Sequence, residues 1–411
     1  MSNELIQVLA QRPGCTGSGM YLQSFYEEAE SRDYSQKIIA AVQEGSEDSD
    51  CADFGNDFIP VEFLSSELPF PIFGMSDNMP YRSRRYSSLS DVEKQKLIKA
   101  YKTRVERAAE KMDEPTILAH HLWLITSALA REFENMNVIG ISHGTGIRQI
   151  QKNSRFAFEV RNGISHLNKI FALNRHQKSE IVDKFQISPQ NIEITGLGYN
   201  QYNFYFPSRE ELQFRKERDK KEIVYVGKIS RSKGVFSLLR AVGDLEKENL
   251  KLTLIGSGKC EEIEKIEKLA DDVFCQVELT GQLDQQEVGE RLRKANLFCL
   301  PSFYEGFALV ILEALASGLR IVSSDIPGVA EYLPDIIKQK SVVKFVELPP
   351  LQEVDIPSER ERQRYENRLS HSLEEQLKRA ADFSFLSDEK YLEAIKSLSW
   401  SGVFSGLEGY L

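Results

Sequence analysis

From residue 222 to 325 the chain alternates, without a break, short apolar runs with amphipathic runs of helical spacing. In order these are EIVYVGKI, FSLLRAVGDL, KLTLIGSG, EEIEKIEKLADD, VELTGQL, QEVGERLRKA, NLFCLPSF, LVILEALASG and RIVSSD. The first kind is too short for a helix and rich in strand formers, whereas the second repeats its apolar positions every three to four residues. A helix between successive strands forces a crossover, so the strands lie parallel and are covered on both faces. The segment predicts a complete doubly wound domain, whose ligands gather beyond the carboxyl ends of its strands.

The first half repeats the rhythm less regularly. LIQVLAQ, QKIIAAVQ, PTILAHH and NVIGISHG read as strands, and MYLQSFYEEAESR and ITSALAREFE as helices. A chain of 411 residues is too long for one ordinary core, so two domains are expected. Residues 208–221, SREELQFRKERDKK, carry hardly an apolar anchor and read as a solvated connector or helix. After about residue 346 the prolines of ELPPLQEVDIP interrupt the pattern, and a very polar helical stretch follows. The closing SLSWSGVFSGLEGYL spaces Trp400, Val403, Phe404, Leu407 and Tyr410 as a helix docking on a core would.

A net charge of −10 argues against general nucleic-acid affinity, which draws on a basic surface. The five cysteines, Cys15, Cys51, Cys260, Cys275 and Cys299, are scattered and never in C-x-x-C pairs, so neither a disulfide framework nor a metal site is suggested. No apolar run reaches the length of a membrane span, and the acidic N-terminus is unlike a signal peptide. A cytoplasmic protein is expected.

Chemistry concentrates where strands meet helices. RPGCTGSGMY follows the first strand with Gly14, Gly17 and Gly19, a spacing of G-x-x-G-x-G that is neither the dinucleotide fingerprint nor a P-loop. VGKISRSKG places Lys228, Arg231 and Lys233 after the first strand of the second half, where cations neutralise a diphosphate without a metal. Glu305 precedes the helix LVILEALASG, with the amides of Gly306, Phe307 and Ala308 free to meet a phosphate and Gly318 as its C-cap. Glu313 shares that helix with Leu309, Leu312 and Leu315, so its carboxylate needs hydroxyl or amide partners, and a ligand diol would serve. His121 and His143 end two strands of the first half, and HGTGIRQ adds Thr145 and Arg148 for a polar or anionic substrate. In the insert FPIFGMSDNMPYRSRRYSSLS, Arg82, Arg84 and Arg85 with Tyr81 and Tyr86 read either as a solvated loop or as a grip on an anionic acceptor or another subunit.

These stretches together resemble the retaining glycosyltransferases of family 4. The signatures are GCTGSGMY, HHLW, GLGYNQYNF, VGKISRSKG, LIGSG, LTGQL and the E-x7-E stretch EGFALVILEALASG. The resemblance implies an α/β fold of the GT-B type, with two Rossmann-like doubly wound parallel-sheet domains facing across a cleft. It implies an N-terminal, acceptor-side domain over 1–207, a connector over 208–221, a nucleotide-sugar domain over 222–385, and a closing helix over 386–411 that returns to the first domain. The implied partners are a nucleotide-diphosphate sugar, of which UDP is the commonest, and a hydroxyl acceptor. No cofactor and no metal are implied, and oligomeric state is left open.

By the same resemblance Glu313 holds the ribose hydroxyls and Glu305 the hydroxyls of the donor sugar. Gly306, Phe307, Ala308 and Leu309 line the sugar and phosphates, while Gly227, Lys228 and Lys233 meet the diphosphate. Gly17 and Gly19 approach from the other domain, and His121 contacts the donor sugar. His121, Glu305, Lys233 and Lys228 are the implied catalytic set, with His143, Thr145 and Arg148 toward the acceptor. GLGYN departs from the family by lacking its usual aspartate, with Asn200 in a comparable place. Two other readings remain: a nucleotide-sugar-binding protein of the same fold that transfers nothing, and an NAD(P)-dependent oxidoreductase, against which the glycine spacing speaks.

Overall fold

The computed structural model describes residues 3–14, 16–43, 45, 49–305, 308–326, 329–353 and 356–411. They divide into two compact units, one formed by Met1–Leu197 together with Val403–Leu411, the other by Gly198–Gly402.

In the first unit the strands are β1 (Glu4–Leu9), β2 (Ser35–Gln43), β3 (Phe58–Phe63), the two-residue pair β4 (Phe73–Gly74) and β5 (Arg84–Arg85), β6 (Thr116–His120), β7 (Val138–Ile141), β8 (Lys169–Ala172) and β9 (Ile192–Ile194). Seven of them form one sheet in the order β3-β2-β1-β6-β7-β8-β9, parallel throughout. Helices follow the strands: α1 (Gly17–Glu30), α2 (Asp91–Ala109), α3 (Leu124–Glu132), α4 (Thr145–Lys152), α5 (Ala157–Ile164) and α6 (Arg175–Phe185). Strand β2 shows why the sheet needs both faces covered. Its Ile39 and Ala41 join one buried cluster, while Ile38 and Ala40 join another with Leu22 and Tyr26 of α1. The second unit is a six-stranded parallel sheet in the order β12-β11-β10-β13-β14-β15. These strands are β10 (Lys221–Val226), β11 (Leu250–Ile255), β12 (Gln276–Gly281), β13 (Leu297–Leu300), β14 (Arg320–Ser324) and β15 (Val343–Val346). The intervening helices are α7 (Arg209–Glu217), ahead of β10, then α8 (Val235–Gly243), α9 (Cys260–Ala270), α10 (Gln285–Lys294) and α11 (Leu309–Ala316).

In both sheets the strand order reverses beside the first strand, between β1 and β6 and between β10 and β13. Connections leave such neighbours in opposite directions, which opens a crevice at their carboxyl ends. The Gly-rich loop and His121 flank one switch point, and Lys228, Lys233 and Glu305 flank the other.

Two stretches differ from the sequence reading. Residues 70–90 are not a solvated loop: Phe70, Ile72, Phe73 and Tyr86 are buried, and Arg84 lies over Phe73 while pairing with Glu93 at 2.6 Å. The aromatic residues outweigh the arginines there because the guanidinium can rest its planar face on a ring and keep its charge partnered. Residues 208–221 contain the helix α7, one of the two readings expected, opened by a Ser208/Glu211 capping box, but the stretch is not simply solvated. Its anchor is a charged residue: Arg215 is buried and donates to four carbonyls, Arg293 (2.6 Å), Gly318 (2.9 Å), Leu292 (3.0 Å) and Ser317 (2.7 Å).

Candidate active site

The second unit's switch point is built by two loops pressed together. Gly234 sits at φ 69°, and a Cβ there would lie 1.9 Å from the carbonyl oxygen of Pro301, so only glycine allows the β10–α8 loop to rest on the β13–α11 loop. Phe303 N–H donates to Ser232 O at 3.0 Å across the same contact. The result is that Lys233 Nζ reaches Glu305 Oε2 at 2.6 Å and Tyr304 O at 3.1 Å, while Ser302 Oγ donates to Glu305 Oε1 at 2.6 Å. Both carboxylate oxygens are thereby held, and each keeps a further lone pair for a ligand hydroxyl.

Glu313 lies on α11, half-buried beside the buried Leu312 and Ala314. Its carboxylate has no hydrogen-bond or ion-pair partner among the described residues, and desolvation pushes its pKa up to about 7. The partners expected for it from the sequence are therefore not supplied by the described residues. Ala308 is buried at the N-cap of α11 with Leu309 half-buried behind it, and Gly318 at φ 65° closes the helix. Gly306 and Phe307 lie outside the described residues.

Lys228 is exposed at the rim of a pocket of about 600 Å³ over the ends of β10, β11 and β12. Gly227 is part of its wall, and Gly256 must be glycine because a Cβ would meet Gly227 O at 1.9 Å. Ser257, Gly258, Lys259, Gln282 and Leu283 also line it. Ser257, Gly258, Gln282 and Leu283 fall in LIGSG and LTGQL with no role assigned to them, and Lys259 just beyond; their position directly after two parallel strands was the signal available.

In the first unit a pocket of about 250 Å³ brings together Gly17, His121, His143 and Thr145 with Gln11, Thr16 and Ser18. Gln11 Nε2 donates to Thr16 Oγ1 at 2.8 Å, and that hydroxyl accepts from Gly19 N at 3.1 Å to cap α1. Gly17 is exposed in the pocket wall. Gly19 is buried, and a Cβ there would lie 2.6 Å from Gly14 N and O, so its own backbone loop already requires a glycine.

His121 is a non-glycine residue at φ 71°, a conformation that costs of order 1 kcal/mol or more and persists only when surroundings enforce it. Its Nδ1 pairs with Thr145 Oγ1 at 2.8 Å, and its Nε2 is buried with no partner among the described residues. Burial lowers its pKa to about 3, so the ring is neutral. Arg148 is exposed one turn further along α4 and does not line this pocket. Among the described residues no three His, Cys, Asp or Glu side chains converge as a metal-binding group, and no helix is long and apolar enough to cross a membrane.

The comparison that decides the fold is with solved structures. HepE of Anabaena, in complex with UDP, superposes with a TM-score of 0.64 at 12% identity, covering 100% of this chain and 99% of that one. The fold is GT-B. Residues 208–344 match the family model for glycosyl transferases group 1. The putative teichuronic acid biosynthesis glycosyltransferase TuaC of Bacillus subtilis is 25% identical over 230 residues, 54% of this chain and 56% of that protein. Glycogen synthase of Mycobacterium tuberculosis is 27% identical over 232 residues, 53% of this chain and 54% of that protein. The chain thus spans about half the length of such curated relatives. The matched domain contains Lys228, Lys233, Glu305 and Glu313.

Proposed function

We propose that the protein is a retaining glycosyltransferase that moves a hexosyl group from a nucleotide-diphosphate sugar to a hydroxyl acceptor. The observation that carries this reading is the placement, inside the matched domain, of a half-buried carboxylate, Glu313, that has no partner among the described residues, on the helix that begins just after Glu305 of the Lys233–Glu305 pair. The second unit, Gly198–Gly402, binds the nucleotide sugar, and the first unit faces the acceptor. UDP is the nucleotide, as it is the one bound by HepE, and the nucleotide sugar is a substrate rather than a cofactor. Cytoplasmic residence fits the free thiols of Cys260, Cys275 and Cys299.

Each role follows from charge. Departure of the diphosphate leaves negative charge on the leaving group and positive charge on the sugar, so cations fixed at the phosphates stabilise that state more than the ground state. Lys228 and Lys233 supply the cations, with no metal taking part. Glu305, held by Ser302 and Lys233, accepts from sugar hydroxyls, and Glu313 accepts from the ribose diol. His121 presents its partnerless Nε2 to the donor sugar, and His143, Thr145 and Arg148 serve the acceptor.

A thermal-shift series with UDP, GDP, ADP, TDP, their glucose or mannose conjugates, NAD and NADP tests the donor. A ligand at a hundredfold excess over Kd adds about 2.7 kcal/mol to stability. UDP or its conjugate is expected to raise Tm in the wild type and not in Glu313→Ala or Lys233→Ala, and a rise with NAD alone would replace this reading by an oxidoreductase. Once an acceptor is found, the anomeric configuration of the product decides retention.

A further inference from the structure

Behind the first unit's pocket runs a line of buried polar groups that the proposed chemistry does not use. Gln7 on β1, Gln36 on β2 and His120 on β6 are all buried in the middle of the sheet. Gln36 Nε2 donates to the backbone carbonyl of Tyr26 at 2.9 Å, and Gln7 Nε2 donates to Gln36 Oε1 at 3.2 Å. Gln7 Oε1 faces His120 Nε2 at 3.4 Å, and His120 Nδ1 faces His143 Nε2 at 3.0 Å. Tyr21 closes the edge of both imidazoles, and the two rings stack nearly parallel.

A carbonyl oxygen only accepts, and that fact orients the whole line. Tyr26 O requires the amide of Gln36 to turn its NH2 toward it, leaving Oε1 for Gln7. Gln7 must then spend its NH2 on Gln36, so its oxygen accepts from His120, which carries its proton on Nε2. His120 Nδ1 is therefore a lone pair, and the proton between the two rings belongs to His143 Nε2. Burial keeps both rings neutral, so no second ring proton is present.

We propose that His143 is held as its Nε2–H tautomer by this relay, and that its Nδ1 is a permanent hydrogen-bond acceptor for a ligand hydroxyl in the pocket it shares with His121 and Thr145. Gln7, Gln36 and His120 are positioning residues that act through His143. A site of this kind takes a polyol and refuses the same position occupied by an ether or carbonyl oxygen, since neither can donate. Only the naming of that polyol, as a sugar of the donor or a hydroxyl of the acceptor, rests on the transferase reading.

The test is long-range 1H–15N correlation spectroscopy on full-length protein labelled with 15N-histidine, with the His143 resonances assigned by their loss in His143→Gln. The expected result is a neutral His143 with its proton on Nε2; a proton on Nδ1, or a mixture, overturns the proposal. Gln36→Met keeps the side-chain volume and cuts the line at its anchor, so His143 is expected to become a mixture of tautomers, and an unchanged spectrum counts against the relay. If that variant does not fold, Gln7→Met makes the same cut, and the wild-type spectrum decides alone. UDP-glucose and, separately, molar glycerol are then added. Movement of the Nδ1 resonance with UDP-glucose assigns the hydroxyl to the donor, movement with glycerol alone assigns it to the acceptor, and no movement with either overturns the hydroxyl site. The tautomer is read without any nucleotide, so failure of every nucleoside diphosphate and conjugate in the thermal series to bind would sink the transferase reading while leaving this result standing.

Discussion

At the scale of single residues the second unit's site is a contest between two carboxylates in different surroundings. Glu305 is matched by Lys233 and Ser302, whereas Glu313 is left to desolvation, which raises its pKa from 4.5 to about 7. A carboxyl whose folded pKa is raised binds its proton more tightly in the native state, so its contribution to stability is complete below pH 4.5 and is lost as pH rises through about 7. Across that window the loss is on the order of 3 kcal/mol. Glu313→Gln is therefore expected to melt above the wild type at pH 8 and level with it at pH 4.5, with the gap closing when UDP is present; equal melting curves at pH 8 would refute the assignment. Lys233→Ala is expected to reduce kcat by ~10²–10³-fold, as removal of one fixed electrostatic partner of a transition state does, measured with whichever donor the thermal screen selects. The identities of these residues were legible from their places after parallel strands. Their partners were not, because the Lys233–Glu305 contact depends on how closely Gly234 lets one loop approach another, and a lone Gln7 or Gln36 on a strand gives no sign of the line it joins.

Among elements, the strands and helices from β10 to β14 were readable because each carries an unbroken apolar period, and the structure returns every one of them. Strand β9 spans only three residues, too few to show a period. Helix α2 carried a signal that went unused, the Ser90/Glu93 capping box ahead of it. Arg215 on α7 illustrates a different limit. Its four carbonyl acceptors come from the ends of α10 and α11, so one guanidinium ties together the helix that carries Glu313 and its neighbour. No pattern of hydrophobicity announces an anchor that is itself charged. Arg215→Leu leaves those carbonyls without a donor in a buried place, and is expected to cost about 3–5 kcal/mol, read from denaturant unfolding followed by the UDP-dependent shift. A loss under 1 kcal/mol would show that other donors or water take over.

For the molecule as a whole, the two units are unequal in how they are assembled. The second is one uninterrupted stretch, Gly198–Gly402, whereas the first is completed by Val403–Leu411. Val403, Phe404 and Leu407 are buried there, and Phe404 packs on Phe25 at 4.6 Å and Tyr34 at 5.4 Å between ring centroids. Burying each such side chain contributes about 1.5–3 kcal/mol. Deleting 403–411 is expected to lower the melting of the first unit and to leave the UDP response of the second in place; loss of both together would mean that the units fold as one. The apolar spacing in SWSGVFSGLEGYL pointed to a docked helix, and Tyr410, which meets Phe171 edge to face, continues the contact past the helix end. This split ownership of the chain has a consequence for biosynthesis. The ribosome makes 403–411 only after the whole of the second unit, so the sheet that carries His121 and His143 must wait for it before its core is complete. A nascent chain stalled before that point presents a finished second unit and an unsealed first one, which is the form that chaperones and proteases are equipped to notice.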